Sequence, residues 1–188
     1  MMSAGFILRS FLIAQPRLHN IGCMSTMTPD RPVEEADLDL SLAALFAGYA
    51  LNDEVQRRLQ AAGFEGLRFA HGFLIQHLVD EGRPIGELAH LMGVTQQAVS
   101  KTVRELEGLG YVERRAADTD ARVRVVTLTE RGRSALETAR AQRRNLVEEL
   151  RAELGEDRLD AATTLLRDVL RAQRALPDIR HRRVRPPP

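Results

Sequence analysis

The chain is 188 residues long, 44% hydrophobic and 28% charged, with a formal net charge of +1. That is little more than one domain of ordinary globular composition, with no apolar run near the ~18–20 residues of a membrane-spanning helix and too few cysteines, at one, for an internal disulfide or a cysteine-based zinc site. Near-neutral charge leaves only a local patch for nucleic acid, and 4% aromatics without tryptophan speak against the base-stacking platforms that hold single strands.

Residues 1–37 read as a separate segment, either a disordered leader or a mis-assigned start with translation beginning at Met24 or Met27. The apolar run Phe6–Ala14 is broken by Arg9 and Ser10. It lacks the clustered basic start and small-residue cleavage site of a secretory signal. Thr28 to Asp37 holds Pro29 and Pro32 and should be a loop. A first helix is predicted over roughly 38–61, because Leu42, Leu45, Phe46, Tyr49, Val55 and Leu59 recur at three- and four-residue steps. A second runs over about 67–80 with Phe69, Phe73, His77 and Leu78 near one face, and ends near Gly82. Pro84 then suits the first turn of a short third helix to about Met92.

Gly93 permits the left-handed turn that takes a chain sharply out of a helix, and Thr95 is a natural N-cap for a fourth helix to about Glu107. Helix, glycine turn, helix is the sequence form of a helix-turn-helix. Ala89 suits a close approach of the two helices. Leu88, Met92, Val94, Val99, Val103 and Leu106 supply the buried face. The stretch "YVERR", a polar turn "AADTDA" and "RVRVVTL" then predict a β-hairpin wing. Thr129 caps a long helix over about 130–154, with Leu136, Ala139, Leu146, Val147, Leu150 and Leu154 toward one side. After Gly155 a last helix covers about 156–174. The basic, proline-rich end, 176–188, reads as a disordered tail.

On the fourth helix, Ala98, Val99, Thr102, Val103 and Leu106 are expected inward, leaving Gln96, Gln97, Ser100, Lys101 and Arg104 outward with no acid before Glu105. Glutamine can pair an adenine edge, and lysine or arginine can donate to guanine or phosphate. Thr95 and Gln96 sit at the helix N-terminus, where backbone amides also attract phosphate. A merely solvated face would mix acids and bases. Asp118 and Asp120 in the wing could be read as a metal pair, but no neighbouring histidine or glutamate completes a shell. No cofactor is expected.

The segment "ERRAADTDARVRVVTLTERG", with Asp120, Arg122, Leu128, Thr129 and Gly132 at their spacing, resembles the wing of MarR-family winged helix-turn-helix transcriptional regulators, and "ELAHLMGVTQQAVSKTVRELEGLGYVERR" resembles the same family's helix-turn-helix. The resemblance covers roughly 38–172 and departs at Ala121, where many relatives carry a second arginine. It implies a mainly α fold with a β-hairpin wing. The MarR-like domain would span 38–175, with a winged helix at about 67–128 and dimerisation helices at about 38–61 and 130–174. It implies that Arg122 enters the minor groove or contacts phosphate with Asp120 orienting it, flanked by Arg115 and Arg124. It also implies a cytoplasmic homodimer on palindromic double-stranded DNA, acting as a repressor relieved by a small aromatic or phenolic effector. Tyr49, Phe69, His71 and Phe73 are the candidate effector lining. Cys23 lies in the leader, away from the first core helix where a peroxide-sensing branch of the family carries its cysteine, so thiol sensing is not expected.

Two other classes stand against this reading. An enzyme would need a nucleophile motif, a histidine metal pair or a phosphate-binding glycine loop, and none occurs. A winged helix used for protein contacts or DNA architecture without sequence reading would tolerate acids on the outward helix face.

Overall fold

A computed structural model describes residues 34–117 and 122–180. The chain divides into two units, Met1–Asp39 and Leu40–Pro188. The described part of the first holds a single 3-10 turn, Glu35–Asp37, where a loop is expected. The second unit is helical with one antiparallel hairpin. Its elements are α1 (Leu40–Ala61), α2 (Phe69–Gln76), α3 (Ile85–Met92), α4 (Gln96–Gly108), β1 (Val112–Ala116), β2 (Arg124–Leu128), α5 (Glu130–Leu154), α6 (Glu156–Ala172) and α7 (Leu176–Arg180). The fold class is thus as the sequence predicts, mainly α with a hairpin wing.

The main core is built where α2, α3, α4 and the hairpin meet. Leu74, Leu88, Val99, Val103, Leu106 and Val126 are buried there, and so is Tyr111. On α2 the inward face is His71, Leu74 and Ile75, with Leu78 just beyond the helix. Phe69, Phe73 and His77, expected on that face, are exposed or half-buried instead. The helix also ends four residues early, at Gln76 rather than near 80, because the chain turns at His77 to run Arg83 beside the hairpin. Arg83 exchanges two backbone hydrogen bonds with Val126, at 3.0 and 2.9 Å. Pro84 is the N-cap of α3 rather than its first residue, with ψ at 150°. Proline fits there because its missing N–H is one no helix would use.

Gly93 closes α3 in the left-handed region at φ +67°, as the sharp turn requires. Thr95 then caps α4, its hydroxyl accepting from the Ala98 amide at 3.2 Å. Past the hairpin, Thr129 holds three elements together. Its Oγ1 donates to the Gly110 carbonyl at 2.7 Å and accepts from the Gly132 amide at 3.0 Å, and its own amide donates to the Tyr111 carbonyl at 3.1 Å. Gly132 is needed for that approach: a Cβ there would lie 2.0 Å from the Tyr111 carbonyl oxygen.

A second, small cluster joins α1 to α5 through Val55, Leu59 and Leu146. Arg58 clasps it from outside, bonding Glu149 across the helices at 2.9 Å and Glu54 along its own helix at 2.6 Å. The Arg57 and Arg58 guanidinium groups hold the Glu54 carboxyl below the usual range, and Arg58 does the same for Glu149. No other residue of α1 is fully buried. Leu45, Phe46 and Tyr49 are about half exposed, and α6 buries none of its residues, leaving Leu165 and Leu166 outward. On α5, Val147 and Leu154 are likewise exposed, although the sequence pattern places them toward the packed side. The end of the chain departs from a disordered tail at 176–180, where α7 forms. Arg174 turns the backbone at φ +55°, and the apolar Leu176 and Ile179 recur one turn apart. Among the described residues no helix is long and apolar enough to cross a membrane.

Candidate nucleic-acid interface

The buried seam of α4 is Val99, Val103 and Leu106, spaced four and three residues apart. At 100° per residue this turns Gln97, Lys101 and Arg104 to the opposite side, and all three are exposed. Each of the other expected contacts has a more particular place. The Thr95 hydroxyl is engaged as the cap. The Gln96 side chain lies over α3, its amide nitrogen 3.4 Å from where a Cβ on Gly86 would stand. Ser100 is half-buried, and Arg104 folds back so that its Nε donates to the Ser100 carbonyl at 3.2 Å. Ala98, expected inward, is exposed. It precedes the buried seam by one residue and so lies about a quarter turn off it. Thr102 is half-buried, donating back to the Ala98 carbonyl at 3.2 Å. The exposed Ala98 methyl is the surface feature that the inward assignment missed; the spacing of the three buried apolar residues is the signal that locates it.

In the wing, β1 and β2 pair antiparallel with Arg115 opposite Val125 and Ala116 opposite Arg124. Residues directly opposite share a face, so Arg115 and Arg124 project from opposite faces of the hairpin. Both are exposed, as is Arg122, two residues before β2. Asp118, Asp120 and Ala121 lie outside the described residues, and with them the expected Asp120–Arg122 pairing and the departure at Ala121. Among the described residues no cluster of histidine, cysteine or carboxylate groups could hold a metal.

Beneath α4 lies a polar knot that sequence reasoning did not find. His71 is buried within hydrogen-bond range of three groups. The Arg68 amide donates to Nδ1 at 3.3 Å, and the Glu105 carboxylate of α4 and the Arg68 guanidinium lie 3.3 and 2.8 Å from Nε2. Arg68 and Glu105 also form an ion pair directly. Burial holds the imidazole below its ordinary pKa, with the Arg68 charge acting the same way and Glu105 opposing. Burial would raise the Glu105 carboxyl, but the bond to His71 and the Arg68 charge leave it below the usual range.

A cavity of about 450 Å³ opens between α1, α2, α5 and α7. That lies within the usual size range for small-ligand sites. Phe69 and Phe73 line it, stacked edge-on with centroids 5.3 Å apart. Tyr49 and His71 do not. Tyr49 sits in the first half of α1 against Phe46, whereas the cavity takes Val55, Gln56 and Leu59 from the second half. His71, though next to the wall residue Gly72, is buried and bonds Arg68 and Glu105 instead. Gln56 Oε1 is buried without a partner among the described residues. Arg68, Gln76, Arg140 and Arg143 complete the polar part of the wall.

Residues 65–123 match the family model described as the MarR family. Similar solved structures cover most of the chain. The YusO protein of Bacillus subtilis is 25% identical at a TM-score of 0.56, covering 73% of this chain and 94% of its own. Wild-type MarR from E. coli, in its apo form, is 21% identical at a TM-score of 0.52, covering 71% and 98%. A transcriptional repressor, CouR, bound to a 23-mer DNA duplex, is 24% identical at a TM-score of 0.52, covering 71% and 93%. No curated protein matches the chain by sequence.

Proposed function

This chain carries a MarR-family winged helix-turn-helix with the fold of the family's transcriptional regulators, and from that premise we propose a cytoplasmic, homodimeric repressor that reads a palindromic operator and is relieved by a small ligand. It is a binding protein and not an enzyme. The observation that carries the DNA reading is the outward face of α4. Gln97, Lys101 and Arg104 are exposed together, with Ala98 beside them. Glutamine and arginine can read adenine and guanine edges, and an alanine methyl can meet the thymine methyl. Arg115, Arg122 and Arg124 of the wing contact phosphate or the minor groove, and Asp120 orients Arg122.

Dimerisation is supported by what one chain leaves uncovered. Leu45, Phe46 and Tyr49 on α1 and Leu165 and Leu166 on α6 are 42–52% exposed, more apolar surface than scattered single residues would leave. A second copy covers them and sets two α4 helices about one DNA turn, ~34–36 Å, apart. Sedimentation with and without DNA tests this. A dimer that binds one duplex as two protomers, and a Leu166→Glu variant that sediments as a monomer with weakened operator binding, are expected. A wild-type monomer that binds DNA with full affinity contradicts the proposal. The cavity lined by Phe69 and Phe73 is where the relieving ligand binds.

A further inference from the structure

Of the 27 lysine and arginine residues in the chain, Lys101 is the only lysine. The two cations differ in chemistry as well as in shape. A guanidinium stays protonated and is no nucleophile, whereas an ε-amine that sheds its proton can take an acyl group. Apart from the α-amine, the chain therefore offers a single amine, and the fold puts it in the middle of α4. Lys101 is exposed. Gln97 lies four residues before it, and Ala98 and Arg104 three residues to either side, so all three are its neighbours on the outward helix face. Glu105, one turn further on, is engaged by Arg68 and His71. Lys101 acts on that carboxylate through charge alone, without a hydrogen bond. Arg104, the other cation of the face, has its Nε turned back onto the Ser100 carbonyl.

We propose that Lys101 is an acylation site, and that an activated acyl group, carried as a thioester or as an acyl phosphate, weakens DNA binding there. This rests on the reading of α4 as the recognition helix and adds a covalent control to it. The deprotonated ε-amine attacks the acyl carbonyl. An amide C–N bond forms, and the bond from the carbonyl carbon to sulfur or to phosphate oxygen breaks. The thiolate or phosphate leaves with the electron pair, and the surplus proton on nitrogen passes to water. Nothing is oxidised or reduced. The product is a neutral amide, so one positive charge is lost. Methylation would keep the charge, which makes acylation the modification to which a charge-reading site responds. Loss of one ammonium contact is expected to raise the DNA Kd about fivefold or more per protomer. Where the partner is a phosphate, the slope of log affinity against log salt also shrinks by about 0.9 per protomer. Bound DNA in turn covers Lys101 and slows its acylation.

The test uses the full chain, a duplex that the protein itself selects from a random pool, and two probes applied separately: acetyl phosphate and acetyl coenzyme A. Peptide mapping by mass spectrometry reads the modified position. Anisotropy at one salt concentration reads DNA binding before and after treatment. In the wild type, acetylation at Lys101 and a Kd raised about fivefold or more are expected, with the selected duplex slowing the modification. The probe that acts identifies the carrier. Lys101→Arg, whatever its starting affinity, is expected to keep that affinity through the treatment. A treatment that weakens Lys101→Arg as much as the wild type overturns the assignment to Lys101. A Lys101 left unmodified by both probes in the folded chain, yet acetylated in urea, overturns the site. An acetylated chain that binds the selected duplex as before overturns the switch and leaves the DNA-regulator reading standing, whereas failure to select any duplex overturns both.

Discussion

Gly132→Ala puts the packing between the wing and α5 to a severe test. A Cβ at this position would stand 2.0 Å from the Tyr111 carbonyl oxygen and 3.3 Å from a Leu128 methyl. Carbon and oxygen do not approach closer than about 3 Å without a large repulsion, so roughly 1 Å of movement is needed, and both sides are backbone. Overpacking of this kind costs about 1–3 kcal/mol or more. The shift also pulls the Gly132 amide from the Thr129 hydroxyl, now at 3.0 Å, at a further cost of about 1 kcal/mol for a lost cap. The expected destabilisation is about 2–4 kcal/mol, a large share of the ~5–15 kcal/mol of a typical domain. Urea unfolding at fixed protein concentration reads it. With a slope of about 1–3 kcal/mol/M, the midpoint falls by roughly 1–4 M. Gly72→Ala is the control, since a Cβ inside α2 would meet nothing within 4 Å and should stabilise by about 0.5–1 kcal/mol. A Gly132→Ala protein within about 0.5 kcal/mol of wild type would refute the close approach and the account of the Leu-Thr-x-x-Gly spacing built on it.

Arg122→Ala weakens DNA binding without unfolding the protein, and the slope of log affinity against log salt shrinks by about 0.9 if one phosphate contact is lost; an unchanged affinity and slope would remove the wing from the interface. Gln97→Ala changes sequence preference more than Arg115→Ala, because base contacts specify and phosphate contacts position, and selection from a random duplex pool compares them. Burial depresses the folded pKa of His71 below its ordinary 6.5, so the folded chain resists a proton that the unfolded chain accepts. Its contribution to stability is complete above 6.5 and is lost as pH falls toward the folded value, and His71→Gln flattens the urea midpoint over that range.

The helix-turn-helix is legible in the sequence because its signals are local. Gly93 and Thr95 fix the turn by backbone geometry and by one cap bond, and Val99, Val103 and Leu106 repeat at helical spacing. The motif of Leu128, Thr129 and Gly132 is legible as a resemblance, and the structure gives its cause: a core side chain, a hydroxyl joining two loops to a helix, and a backbone contact that a Cβ would block. The cavity between α1, α2, α5 and α7 is less legible. Phe69 and Phe73 line it, but Tyr49 and His71 do not, because whether an aromatic or histidine on a helix faces cavity, core or solvent depends on neighbours far along the chain. Arg68 and Glu105 are 37 residues apart, and no local pattern marks them as partners. The apolar stripe on α1 shows the opposite effect. Its periodicity predicts one buried face, yet only Val55 and Leu59 are buried within the chain, which fits a stripe divided between self-packing and a second copy.

The most direct test is fluorescence anisotropy at one stated salt concentration, comparing DNA from immediately upstream of this protein's own gene with the same DNA scrambled. Tight, saturable binding to the upstream duplex, with at least a thousandfold preference of the order that specific sites show, is the result expected of a sequence-reading regulator that controls its own gene. Equal binding to both duplexes that falls away together as salt rises would contradict it, because phosphate contacts alone would then account for the affinity.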